Sequence, residues 1–479
     1  MMFSKRTSSM LLHSTRRCGL TTLHKPLLQT DIVEQQASPV TYQHFPNQDA
    51  YWQKTPQWKT ISTAEFLSYK WQSKNSINTP SQLLNFMRSV LPSRIPASSS
   101  PKSNIQQVIT QNDFIQDVEN GMQKAPMSIR LTPHILSLIN WEEPFTDPLI
   151  RQFVPLGSRL LPDHPELRLD SLDETTDSPV KGLIHRYPDK AVFLATSVCP
   201  VYCRYCTRSY STGVDTASVS KVRFLPIMKR WEPIFEYIEK TTKLNDILVS
   251  GGDSYSLSPE QLLAIGQRLL DLPHILRIRF ASKGLAVCPS RLVDPDDRWA
   301  EALIQLSREG REMGKSVSLH THFNHPNEIT WVTEAAARRL FREGVQVRNQ
   351  TVLLNGVNSD VKIMTQLIRR LAALNIQPYY VFQHDLVCGV EDLRTPLSTI
   401  LSLESQIRGT IAGFMMPNFM VTLPGGGGKR LACSYESYDR ATGRSLFRAP
   451  NSHMRGGSEN GKELWDYWDP HWSLEGKIL

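Results

Sequence analysis

Long apolar runs are missing from this 479-residue chain. No stretch approaches the roughly 18 consecutive apolar residues of a membrane span, and short runs such as residues 191–194 read as buried strands. A paired cysteine framework is missing too. The chain has seven cysteines, an odd number, with three falling inside residues 199–206 while Cys18, Cys288, Cys388 and Cys433 are scattered. Clustered thiols without a secretory signal point to a metal or redox centre instead of disulfides. A large charge excess is also lacking. The formal charge is +8, but Lys5, Arg6, Arg16, Arg17 and Lys25 stand in a leader with no acid before Asp31, and the remainder carries only +3. A surplus that small is an ordinary solvated surface and gives no case for a nucleic-acid partner.

With 40% hydrophobic and 21% charged residues, the chain has the material for one large or two medium domains. Residues 1–30, basic and rich in Ser and Thr, read as a mitochondrial transit segment, which predicts a matrix location; a disordered basic tail on a cytoplasmic protein is the alternative. Residues 31–165 are expected to be a helical N-terminal region, with helical spacing over 66–87, a Ser/Pro-rich linker at 95–103 and an N-cap at Thr132. In residues 166–430, β-rich runs alternate with helical ones. The strands are AVFLAT (191–196), DILVSGG (246–252), ILRIRFA (275–281), SVSLHTHF (316–323), VQVRNQTVLL (345–354) and QPYYVFQHD (377–385), with helices such as 259–270 and 327–343 between them. That alternation predicts an α/β fold, a parallel sheet curled into a full or partial (β/α) barrel. Cys199, Asp253, His322, Gln350 and Asp385 fall at or just past the C-terminal ends of these runs, where such a sheet places its chemistry. Residues 431–479 lack clear periodicity and are expected to form an extended tail on the core.

The first of these strands is followed by CPVYCRYCTR, with Cys199, Cys203 and Cys206 in C-x3-C-x2-C spacing and Tyr205 before the third thiol. Three thiolates on a four-iron cluster leave one iron open to another ligand. The motif resembles that of radical S-adenosylmethionine (SAM) enzymes, in which the open iron takes the amino and carboxylate groups of the cofactor. A three-thiolate zinc knuckle completed by a histidine, or chance clustering of the thiols, is the alternative. SGGD (250–253) ends the next strand. Gly251 and Gly252 let the backbone approach a ligand and Asp253 can accept from an ammonium, although a glycine pair here can equally be a plain turn.

LPGGGGKR (423–430) follows an apolar run from Phe419. Its glycines expose backbone N–H groups suited to a phosphate. It is not a Walker loop, because Leu423 and Arg430 stand where a glycine and a hydroxyl are needed. Lys429 can form a Schiff base with an aldehyde cofactor, and a glycine hinge with a solvated lysine is the plainer reading.

Taken in order, HRYPDK (185–190), CPVYCRYCTR, LVSGGD, HTHFNHP (320–326), VRNQTVLLNGVN (347–358), PYYVFQHD (378–385), LRTP (393–396) and PGGGGK resemble the lysine 2,3-aminomutase family over about residues 60 to 430. The resemblance implies an isomerase that uses a [4Fe–4S] cluster on Cys199, Cys203 and Cys206, S-adenosylmethionine, and pyridoxal phosphate on Lys429. The cluster would cleave S-adenosylmethionine to a radical that takes hydrogen from C3 of the bound amino acid, after which the amino group moves from C2 to C3. Arg186 and Lys190 match basic positions near the pyridoxal phosphate (PLP), Lys190 standing for an arginine, and Tyr187 lies between them as a further contact. Tyr205, Gly251, Gly252, Asp253, His322 and Gln350 match positions beside S-adenosylmethionine. Arg208 matches the arginine that pairs with the substrate carboxylate, and Asp385 one of two aspartates that grip the distal ammonium of lysine.

Two departures accompany the match. Thr422 stands where the second aspartate belongs; a hydroxyl can bond an ammonium but cannot neutralise it. Asp360 and the single tail thiol Cys433 replace the cysteines that bind zinc in bacterial members, so no structural zinc is expected. L-lysine is the expected substrate. The alternatives are another amino acid, a lysine within a protein, or a non-catalytic iron–sulfur protein. The expected partners are a small amino acid and an electron-donor protein, with no membrane, and a homo-oligomer is left open.

Overall fold

A computed structural model describes residues 49–96, 110–450 and 464–474. The basic leader expected to be a transit segment, and most of the Ser/Pro-rich linker, lie outside the described residues.

The N-terminal region is helical, as its spacing implies: α1 (Thr63–Leu67), α2 (Tyr69–Lys74), α3 (Pro80–Val90), α4 (Gln111–Lys124), α5 (Pro133–Leu138) and α6 (Pro148–Phe153). Local chemistry sets where these short helices begin. Ser62 with Glu65, Thr79 with Gln82 and Thr110 with Asp113 form reciprocal capping boxes, and proline occupies the first turn of α3, α5 and α6. Trp52 stacks on Phe66 with ring centroids 4.3 Å apart. The region supports the first long loop of the core directly: the Tyr202 N–H donates to the Arg130 carbonyl (3.1 Å) and that of Arg204 to the Gln152 carbonyl (3.0 Å).

The core is a nine-stranded sheet in sequential order: β1 (Leu183–Tyr187), β2 (Lys190–Thr196), β3 (Asp246–Gly251), β4 (Arg277–Ala281), β5 (Ser316–Thr321), β6 (Gln346–Val352), β7 (Gln377–Phe382), β8 (Asn418–Leu423) and β9 (Gly428–Leu431). Strands β2 to β8 are parallel, and the edge strands β1 and β9 run antiparallel to their neighbours. The crossovers are α7 (Met228–Lys240), α8 (Pro259–Leu270), α9 (Gly284–Val287) with α10 (Trp299–Glu312), α11 (Trp331–Arg342), α12 (Val361–Ala373) and α13 (Leu397–Ile407). Alternate strand residues face these helices. Phe193 meets Phe235 of α7 at 5.4 Å between ring centroids. Val381, Phe419, Val421 and Leu423 share a core with Met364 and Ile368 of α12 and Ile400 and Leu403 of α13. The other face carries Ser318, His320, Gln350 and Thr422 and forms the concave interior of a half-barrel. Among the described residues, no helix is long and apolar enough to cross a membrane.

The C-terminal segment departs from the extended tail expected for it. β10 (Tyr435–Asp439), β11 (Arg444–Arg448) and β12 (Leu464–Trp468) form a three-stranded antiparallel sheet. Its inward side chains Phe447 and Tyr467 join the core beside α12 and α13. The Tyr467 hydroxyl donates to the His384 carbonyl at 2.7 Å, and the Leu397 N–H, at the start of α13, donates to Asp469 at 2.7 Å. Replacing Tyr467 by Ala is expected to destabilise the whole fold by about 3–5 kcal/mol. Tyr467→Phe, which leaves the carbonyl partnerless, should cost about 1–3 kcal/mol. Equilibrium denaturation of both variants checks this.

Candidate active site

The cysteine loop leaves the end of β2 and folds back on itself. The Cys206 N–H donates to the Cys203 carbonyl (3.3 Å) and the Ser209 N–H to that of Cys206 (3.2 Å). Between these thiols Arg204 makes a buried ion pair with Asp392 at 3.0 Å, anchoring the loop to the far end of the sheet. Cys199, Cys203 and Cys206 are half-buried and form no disulfide. Burial pushes all three thiols up, Cys203 to about 12, and for Cys199 the nearby Asp253 and the other two thiols add to the shift. The three sulfurs therefore share one space in which negative charge is costly unless a cation enters. Among the described residues, no three His, Cys, Asp or Glu converge tightly enough for a single metal ion.

SGGD closes against this loop. Gly251 has φ +108°, and a Cβ there would lie 2.3 Å from the Thr196 carbonyl oxygen; one on Gly252 would lie 2.5 Å from that of Val198. The glycines are needed because β3 ends in contact with the cysteine loop, and the Asp253 N–H donates to the Val198 carbonyl at 2.9 Å. The Asp253 carboxylate, read in the sequence as an ammonium acceptor, takes the N–H groups of Tyr255 (2.8 Å) and Lys283 (2.7 Å). Burial still pushes this carboxyl up to about 6. Across the interior the Tyr205 ring stacks on His322 at 5.7 Å, and the Tyr205 hydroxyl accepts from Asn324 at 2.7 Å. The shielded His322 Nε2 has no partner among the described residues. Burial, and then Lys283, hold this imidazole well below its usual range, so it is neutral. Gln350 lies half-buried on β6, paired in register with Tyr380 of β7.

The remaining predicted residues gather where the two edges of the sheet approach each other. Gly425, Gly426 and Gly428 all take positive φ (58°, 93° and 85°), so the loop before Lys429 turns in a way other residues rarely follow. Lys429 pairs in register with Thr422 and opens onto the interior, its Nζ 5.5 Å from the Phe382 ring centroid. Lys429 is itself exposed to the open interior, but desolvation by the walls around it lowers the amine below its usual range, opposed by Asp385 and Tyr380. Burial pushes the Asp385 carboxyl up to about 6 against the opposing pull of Lys429 and then of Thr422, and its Oδ1 has no partner among the described residues. Arg186 on β1 contacts Asp177 and the Leu172 carbonyl and lies 3.8 Å from the position of a Gly426 Cβ. Lys190 is drawn to its neighbour, its Nζ 4.1 Å from the Tyr187 ring centroid.

Glu174 escapes a reading of the sequence. It forms a two-pronged ion pair with Arg208, at 2.8 Å to Nε and 2.7 Å to Nη2, and also accepts from the Tyr210 hydroxyl at 3.0 Å. Burial alone pushes the Glu174 carboxyl up, but Arg208 and Tyr210 hold it below the usual range. The available signal was the run of acids, Asp170, Asp173, Glu174 and Asp177, just before HRYPDK.

No family model matches the chain. The L-lysine 2,3-aminomutase of Clostridium subterminale is 35% identical over 373 residues, covering 78% of this chain and 79% of the relative. That of Bacillus subtilis is 32% identical over 381 residues, covering 79% and 71%. The glutamate 2,3-aminomutase of Clostridioides difficile is 30% identical over 319 residues, covering 67% and 69%.

The raised thiols make a direct prediction. In metal-free protein at pH 8, Cys199, Cys203 and Cys206 should react with iodoacetamide at least about tenfold more slowly than the exposed Cys433. Peptide mass spectrometry over a time course measures the ratio.

Proposed function

The chain belongs to the lysine 2,3-aminomutase family of isomerases, and from that premise we propose that it moves the amino group of L-lysine from C2 to C3 to give β-lysine. Cys199, Cys203 and Cys206 would hold a [4Fe–4S] cluster, with S-adenosylmethionine between it and the Tyr205, His322 and Gln350 side, and Lys429 would hold pyridoxal phosphate. When bound, the reduced cluster and S-adenosylmethionine supply hydrogen-atom abstraction at C3, and pyridoxal phosphate supplies the conjugation through which nitrogen crosses between carbons.

The chain's own residues prepare the rest. The lowered Lys429 amine keeps more of its neutral, nucleophilic form at neutral pH, which attack on an aldehyde requires. Arg186 and the positive-φ glycines suit a phosphate beside Lys429. Arg208 suits the substrate carboxylate, and Tyr205 and His322 wall the interior against water.

The observation that carries the lysine reading is Asp385, a carboxylate near Lys429 with a shielded, unpartnered oxygen. Such a group calls for a hydrogen-bonding cation, and an amino acid with a distal ammonium provides one. Thr422 favours a second reading, an aminomutase for another cationic amino acid or for a lysine within a protein, because only one carboxylate faces the distal charge. The acid-free first thirty residues support import into mitochondria, which cell fractionation tests.

Anaerobic reconstitution with iron, sulfide, pyridoxal phosphate, S-adenosylmethionine and a reductant should convert L-lysine to β-lysine, and Lys429→Ala should abolish the conversion. 5′-Deoxyadenosine without β-lysine contradicts the lysine reading. A pH dependence follows from Asp385. Its folded-state pKa of about 6 lies above the ordinary carboxyl value, so the carboxylate is present above that pH and is lost as pH falls through it. Affinity for L-lysine should therefore be level above about pH 6 and fall about tenfold per unit below it. Affinity for L-norleucine, which lacks the ammonium, should show no such fall; calorimetric titration distinguishes them.

A further inference from the structure

Two arginines of the site are held by one short turn. Arg186 gives Nε to Asp177 and Nη2 to the Leu172 carbonyl, while Arg208 gives Nε and Nη2 to Glu174. All of these acceptors lie within residues 170–177. The turn is itself fixed. Asp170 Oδ1 accepts the Glu174 N–H, Asp170 Oδ2 accepts both the N–H and the hydroxyl of Thr175, each at 2.9 Å, and the Ser171 carbonyl accepts the Gly425 N–H at 2.8 Å.

A guanidinium presents two parallel N–H pairs, one along its side (Nε and Nη2) and one at its end (Nη1 and Nη2). Glu174 fills the side pair of Arg208. At the end, Nη1 lies 3.4 Å from Ser250 Oγ, the limit of a hydrogen bond, and this edge is left for a second acceptor. Glu174 is 6% exposed and bonded on both oxygens, so the pair is a built part of the site.

We propose that Glu174 is a positioning residue: it locks the side of Arg208 so that the end pair is aimed at the carboxylate of the bound amino acid. This rests on the reading that Arg208 receives that carboxylate. Glu174 also balances Arg208 before substrate arrives, sparing the interior an unpaired buried guanidinium. The opposite role, an internal carboxylate that occupies Arg208 until substrate displaces it, would need Glu174 to swing away. The bonds from Asp170 to the Glu174 and Thr175 backbone and from Tyr210 to the Glu174 side chain oppose that swing.

The two roles predict opposite signs. Binding of L-lysine and of 1,5-diaminopentane, which differ by the carboxylate alone, is measured calorimetrically on cofactor-loaded protein without reductant. The wild type should prefer the acid by about tenfold or more, and Glu174→Ala should lose most of that preference, weakening L-lysine about tenfold while the diamine stays within about twofold. Glu174→Gln, which keeps one carbonyl oxygen on Arg208, should recover part of the preference, as a merely structural defect would not. In turnover, KM for the amino acid should rise more than kcat falls. Tighter L-lysine binding by Glu174→Ala, or an unchanged preference, overturns the proposal. A wild type with no preference for any amino acid over its decarboxylated amine overturns it as well. A wild type that shows the preference, loses it on Glu174→Ala and makes no β-lysine leaves the positioning role standing and refutes the lysine reading alone.

Discussion

The hydrogen bond from the Gly425 N–H to the Ser171 carbonyl, with the charged contacts beside it, is the constraint on which the substrate half of the site depends. The nine-stranded sheet is open, so its first and last strands end in unpaired edges, and the residues proposed to hold pyridoxal phosphate come from both of them: Arg186 from β1 and Lys429 from β9. Nothing in the strand ladder joins these edges. Residues 170–177 do, receiving the glycine loop on one side and two arginines on the other. A shielded guanidinium without a counter-charge is costly, which explains why this turn is acidic and why the Leu172 carbonyl is recruited too.

The site divides into two electrostatic regions. Around the cysteine loop, burial drives thiols, carboxyl and imidazole alike toward their neutral forms: Cys203 to about 12, Asp253 to about 6, and His322 well below its normal range. That environment rewards a group bringing positive metal centres to the thiolates. On the other side, charges are present but matched, with Glu174 on Arg208 and Asp177 on Arg186. Asp385 and Lys429 stand between those extremes. Each stabilises the charged form of the other, while burial works against both, so their protonation is poised to change when a cation or an aldehyde enters.

Much of this was legible in the residues. The six runs read as strands from the sequence became β2 to β7, because strands of a parallel sheet are continuous apolar runs punctuated by helices with clear 3.6-residue spacing. The cysteine loop, SGGD, the glycine loop and Asp385 fall at strand ends, as a barrel-like sheet requires. Three features were not legible. β10, β11 and β12 mix aromatic, charged and apolar residues without a clean period over only five positions each, and their pairing rests on cross-strand contacts such as Arg444 with Asp466 at 2.9 Å, distant in sequence. Glu174 sits in an aperiodic loop where one acid among four looks like solvent-facing charge. Asp253 was read for its ligand chemistry, but its carboxylate also ties β3 to the second residue after β4, a role invisible until Lys283 is brought beside it.

The central claim is that the chain itself, without cofactors, joins the two edges of its sheet through residues 170–177. Amide hydrogen exchange on cofactor-free protein tests it most directly. The account predicts that peptides covering 170–177 and 424–428 exchange as slowly as those of β1 and β9, and that Gly425 is among the protected amides. Exchange of both segments at the rate of an unstructured chain, with β2 to β8 still protected, would contradict it.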